Sequence, residues 1–259
     1  AAHLLLGRLH RRQERLAAAI AHLRSAALSA EKEADNPHAP LAWYELGDCL
    51  AQAGYLRAAA EAFERFDRLV FEERGPEREN DELAVLLKQL PYGAIERRLE
   101  LLQRVERSAD RVAAAKWAFE NRPAEPYLER LYVRTLLDAG HADTAFAFCR
   151  ERLATPGDPN AGPQPLPANR LTLALETARA ANQLDDWIGQ VVRELPAGGA
   201  DDLARTLATR LSAAGDQAHA IPLWRALAMA KPENTPAVWA LAGALKESGD
   251  LAAALSALI

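Results

Sequence analysis

Apolar residues recur at intervals of three and four along most of the chain, with polar residues between them. Trp43, Leu46, Leu50, Leu56 and Phe63 mark one such run, and Leu207, Leu211, Ala220 and Trp224 another. This is the period of an amphipathic helix with one buried face. Gly54, Gly140, Gly215 and Gly249 interrupt the runs, where a left-handed residue caps one helix before the next begins. The pattern predicts antiparallel helix hairpins. Between residues 73 and 126 it predicts helices near 80–90, 92–106 and 108–121. Three helices do not pair evenly, so one of them is expected to be inserted or irregular. Only the last has a small-then-large ring, at Ala113 and Trp117.

Prolines mark the breaks. Residues 154–167 hold Pro156, Pro159, Pro163, Pro165 and Pro167 and cannot be helical. The segment reads as an exposed spacer, with a polyproline-like contact site or an arm folded into a groove as the sharper alternative. Residues 30–40 and 72–80 read as linkers.

The hairpins share residues as well as rhythm. The clearest runs Trp43-Tyr44-Glu45-Leu46-Gly47-Asp48-Cys49-Leu50, then Gly54, Ala59 and Phe63. It resembles the tetratricopeptide (TPR) pattern, with Leu50 where that family usually carries tyrosine. Weaker copies begin at Leu6-Gly7 and Tyr132, and from Leu171, where Trp187 stands in place of a small residue. The turns at Gly215 and Gly249 lie 34 residues apart, the period of the family. The resemblance covers about four-fifths of the chain. It implies an all-α fold, a right-handed α-α superhelix (solenoid) of about six to seven repeats with an irregular middle. Approximate repeats are 1–30, 40–71, 80–121 (irregular), 126–153, 168–196, 201–232 and 235–259 (truncated). The chain opens inside one repeat-like helix and stops within another, so it is expected to be a piece of a longer, bacterial-type protein.

Composition narrows the function. About half of the 259 residues are apolar, and the formal net charge is -5. An acidic balance argues against a nucleic-acid partner, including the pentatricopeptide-like mode that needs a basic groove. Arg8, Arg11, Arg12, Arg15 and Arg24 form a local exception, read either as a solvated face or as a site for an anionic partner. No run of eighteen apolar residues occurs, so no membrane span is expected. Cys49 and Cys149 sit in apolar helical runs and read as buried thiols. They do not set a compartment; the cytoplasm is favoured, with the periplasm open if a longer chain carries a signal.

Catalytic constellations are not found: the sequence has no H-E-x-x-H, G-x-S-x-G, phosphate-binding loop or paired C-x-x-C. No histidine pairs convincingly with a second ligand at metal spacing; His10 reads as a core histidine, and His141 and His219 as surface residues. Asp185-Asp186 and Asp201-Asp202 read as helix-start carboxylates. No cofactor is expected, and the chain is read as a scaffold, not an enzyme.

In the TPR family the first helix of each hairpin lines a concave groove that holds a peptide or partner helix. By register, the resemblance places Arg8, Arg11, Arg12, Tyr44, Asp48, Gln52, Arg130, Arg134, Glu176, Arg179, Arg205, Thr209, Trp239, Lys246 and Glu247 on that face. Tyr44 and Trp239 would be its exposed aromatics, and Arg130, Arg134, Arg179 and Arg205 would favour an acidic partner. The lysine–asparagine carboxylate clamp of the chaperone co-factor subgroup is missing. The expected function is therefore capture of a protein or peptide, with self-association through exposed terminal repeats also open. The alternatives are the helical arm of a larger enzyme, of glycosyltransferase or sulfotransferase type, or an envelope scaffold for polysaccharide or secretion machinery.

Overall fold

The computed structural model describes residues 2–32, 36, 38–71, 81–154, 168–197, 200–231 and 233–258. Among them are fifteen α-helices, one short 3-10 turn and no strand. The expected spacer at 154–167 lies almost wholly outside the described residues. The chain divides into two compact units, Ala1–Ala139 and Gly140–Ile259.

The first unit holds α1 (Ala2–Arg12), α2 (Leu16–Lys32), α3 (Ala39–Gln52), α4 (Leu56–Phe71), α5 (Asp81–Gln89), α6 (Ile95–Arg104), α7 (Ser108–Asn121) and α8 (Pro126–Asp138). Neighbours in sequence pack together from α1 to α4, and then α4 packs directly on α6, followed by α7 and α8. Helix α5 is the odd one. Among the described residues it packs extensively against no other element, and none of residues 82–89 is buried. The uneven count in the middle thus resolves into one extra helix outside the stack.

Close approach in the first two hairpins depends on glycine. A Cβ on Gly7 would lie 2.6 Å from Leu23 Cγ, and one on Gly47 would lie 2.7 Å from the Phe63 ring. Both partners stand sixteen residues further on, so the two hairpins repeat one packing device. Leu23, Phe63 and Phe66 are fully buried beside it, each contributing roughly 1.5–3 kcal/mol of burial. Gly54 has a different reason to be glycine. Its φ is +82°, and nothing lies within 4 Å of its Cβ position. Gly47→Ala is therefore expected to cost about 1–3 kcal/mol by overpacking, and Gly54→Ala about 1 kcal/mol by backbone strain alone. Urea titration checks both; a Gly47→Ala midpoint equal to wild type would contradict the packing account.

The link from α4 to α6 passes through a buried acid. Asp67 is fully buried, and its Oδ1 accepts a hydrogen bond from the Ala94 N–H at 2.6 Å, while Oδ2 has no partner among the described residues. Burial pushes its pKa up to about 7, although the Ala94 N–H and nearby Arg98 pull it down. Gly93, at φ +68°, leaves room for that carboxylate. Arg98, itself largely buried, pairs with Glu64 at 2.6 Å on the α4 side. The α7 ring differs from expectation: Ala113 is exposed, and Ala114, Ala115 and Ala118 are the small residues packed inside.

The second unit holds α9 (Ala142–Ala154), α10 (Ala168–Ala180), α11 (Leu184–Glu194), α12 (Asp201–Ala213), α13 (Gln217–Ala230), α14 (Thr235–Glu247) and α15 (Leu251–Ser256). Consecutive helices pack as neighbours, and α11 also packs on α13. Trp187 is buried, with its ring edge-on to Phe146 at 5.3 Å. The aspartates of α11 and α12 lie in the first turns, as expected, but do not cap them: the caps are Gln183 and Ala200, without side-chain capping bonds. Asp185 instead takes His219, and Asp201 takes Lys231. Asp250 does cap its helix, accepting from the Ala253 N–H at 3.0 Å.

Candidate functional site

Helices α1, α3 and α5 each turn one stripe of side chains toward a common slot. The spacing of three, four and seven puts Leu41, Tyr44, Glu45 and Asp48 on one face of α3, and Arg8, Arg11 and Arg12 on one face of α1. Glu82, Val85, Leu86 and Gln89 repeat that spacing on α5. Together the three helices line a cavity of about 610 Å³, which Asp48 does not itself line.

Arginine dominates the slot. Arg8 donates from Nε to Glu45 at 2.7 Å and through Nη1 and Nη2 to both oxygens of Glu82, at 3.2 and 2.9 Å. Hydrogen bonds to Glu45 and Glu82 raise the Arg8 pKa still further, so its charge is permanent. The same bond to Arg8 holds the Glu82 carboxyl below its ordinary range. Arg11 reaches Asp48 at 3.4 Å, and Arg97 from α6 pairs with the same carboxylate. The other oxygen of Glu45, Oε2, is buried without a hydrogen-bond partner among the described residues. Glu82 is 59% exposed, so its pair with Arg8 contributes only about 0.2–1 kcal/mol. The slot is thus preorganised on the α1–α3 side and loosely closed on the α5 side.

Several residues placed on a groove by register behave otherwise. Tyr44 is 8% exposed, not an open aromatic. Its ring packs on Phe63 and Phe66, and Arg97 lies over it at 5.3 Å. Burial, with Asp48 nearby, raises its pKa. Asp48 is mostly enclosed by its two arginines, whereas Gln52 is exposed.

Arg130 and Arg134 are exposed on α8 and make no ion pair among the described residues. Arg179 and Arg205 belong to the second unit and are engaged there, Arg179 with Asp216 at 2.7 Å and Arg205 with Asp202 at 3.6 Å. Glu176, Thr209, Trp239 and Lys246 are exposed on α10, α12 and α14; Glu247, also exposed, accepts from Gln217.

His141 is exposed, as expected, whereas His219 is not a simple surface residue. His219 is half-buried, 2.6 Å from Asp216 and 3.0 Å from Asp185. His3, His22 and His10 form a stacked row, with the Nδ1 atoms of His3 and His22 3.1 Å apart. Helix packing brings His22 to His3 and His10, and Asp185 to His219, whereas Asp216 and His219 stand three residues apart in sequence. No group of three metal-ligand residues occurs among the described residues. Among them, no helix is long and apolar enough to cross a membrane.

Left-handed glycines at Gly54, Gly215 and Gly249 each end the first helix of a packed pair. The small residue of the following helix, at Ala59, Ala220 and Ala254, is buried in every case. These hairpins are TPR-like.

The sequence matches no protein-family model and no curated protein. Similar solved structures include YrrB, described as a TPR protein with an unusual peptide-binding site. It shares 13% identity over 91% of this chain and 88% of its own, with a TM-score of 0.35. The MamA protein shares 11% over 85% and 88%, with a TM-score of 0.30. The TPR domain of P58(IPK) shares 12% over 99% and 90%, with a TM-score of 0.26.

Proposed function

We propose that the chain is a protein-interaction scaffold, and that the α1–α3 face of its first unit takes an acidic segment of a partner. The observation that carries this is the arginine set on one face. Arg8, Arg11, Arg12 and Arg97 outnumber Glu45 and Asp48 there, and Arg8 already takes a carboxylate from outside its hairpin. Guanidinium groups fixed by existing bonds bind a further carboxylate with little loss of side-chain freedom. The second unit, whose Arg179 and Arg205 are already paired, supports this reading less well.

Selection from a random peptide library on the purified chain tests the assignment. Recovered peptides are expected to be rich in Asp and Glu, and Arg11→Ala with Arg12→Ala is expected to weaken their binding about tenfold. Thermal melting should be unchanged. If binding survives that pair of changes and is lost in Arg130→Glu with Arg134→Glu, the site lies on α8 instead.

A further inference from the structure

Helix α5 holds a position that a partner would hold. Its stripe Glu82, Val85, Leu86 and Gln89 faces the slot, and Glu82 engages Arg8 through both carboxylate oxygens. Its attachment to the described helices, however, is slight. A second stripe, Leu83, Leu86, Leu87 and Leu90, has the spacing of a helix face meant for burial, yet each of these leucines is only half-buried. Val85 is 54% exposed. The stack closes beneath α5 without it, because α4 packs directly on α6. Withdrawing α5 would remove Glu82 and leave the arginines of the face facing only Glu45 and Asp48.

Resting on the scaffold reading above, we propose that α5 is a tethered, displaceable occupant of the α1–α3 face. The partner that replaces it is an amphipathic helix of the same chemistry: a carboxylate followed three and four residues later by aliphatic side chains. The covalent tether gives α5 a high local concentration. A free competitor therefore binds with an apparent affinity reduced by the fraction of chains in which the face is open. Partner binding is in this way held in check by the chain itself.

A fluorescent peptide with the sequence of residues 79–92 serves as the probe, followed by anisotropy against the full chain. The variant Glu82→Arg with Val85→Asp weakens α5 in place without touching the face. It is expected to bind the probe about three- to tenfold more tightly than the wild type does. Adding Arg8→Ala should weaken that binding by up to about fivefold, and hydrogen exchange of α5 amides should be faster in the first variant than in wild type. Equal probe affinity for wild type and variant would overturn the proposal, as would absence of binding to both. If acidic library peptides still bind in either of those cases, the scaffold reading stands and only the role of α5 fails. A circular dichroism melt with an unchanged midpoint establishes that the variants are folded.

Discussion

Raising the pH from 4 to 8 is expected to remove on the order of 4 kcal/mol of stability from the first unit through Asp67 alone. Burial holds this carboxyl at about 7, against 3.8 for an ordinary aspartate. Below pH 4 both folded and unfolded chains carry the proton, and the contribution is fully present. Between pH 4 and 7 the unfolded chain releases its proton while the folded chain keeps it, so stability falls. Above 7 both are ionised and the loss is complete. The charged groups bearing on Asp67 do not reverse this sign. Arg98 of α6 and the Ala94 N–H favour the carboxylate, Glu64 on the same helix opposes it, and desolvation outweighs them all. Asp67→Asn keeps an acceptor for the Ala94 N–H and has no proton to lose. Urea unfolding at a series of pH values should therefore show a falling wild-type stability and a flatter profile for the variant. Parallel profiles would mean that Asp67 is ionised in the folded chain throughout.

The second large effect belongs to the residue facing that carboxylate. Gly93→Ala is expected to cost about 3 kcal/mol or more, from backbone strain together with a buried clash. At φ +68° the new Cβ would stand 2.4 Å from Asp67 Oδ1 and 2.6 Å from the Phe71 ring. Neither neighbour yields easily. The carboxylate is held by its bond to Ala94, and Arg122 lies over the Phe71 ring at 4.1 Å. Gly54→Ala provides the comparison, since it has the strain without the clash. A Gly93→Ala variant whose melting matches that of Gly54→Ala would show that the turn before α6 can move aside.

Which parts of this were legible in the sequence follows from where the information lies. Gly47, Gly54, Ala59 and Phe63 act within one hairpin, so their spacing alone predicts the packing that the structure shows. Tyr44 was legible only as a helix position. Its ring packs on Phe63 and Phe66 of the next helix, and Arg97, a residue of α6 far away in sequence, lies over it. The leucines of α5 announced an amphipathic helix but not that each would be only half-buried. Asp67 left a faint signal, falling on the apolar face that Ala59, Phe63 and Phe66 define at helical spacing. Aspartate at such a position is expensive to bury and so requires a partner. Its partner, a backbone N–H after a left-handed glycine, has no signature in side-chain pattern. For the same reason the arginines of α1 and α8 look alike in sequence, although only the former share a slot with carboxylates from other helices.

The two buried cysteines have a practical meaning as clocks. Cys49 lies in the first unit and Cys149 in the second, both at most 4% exposed and not joined in a disulfide. Burial raises the pKa of Cys49, which further slows its reaction with an alkylating reagent. Each thiol becomes modified only as fast as its surroundings open. The chain thus carries a native timer in each half, and the two labelling rates, resolved by mass, report the opening of each unit separately without any engineered probe.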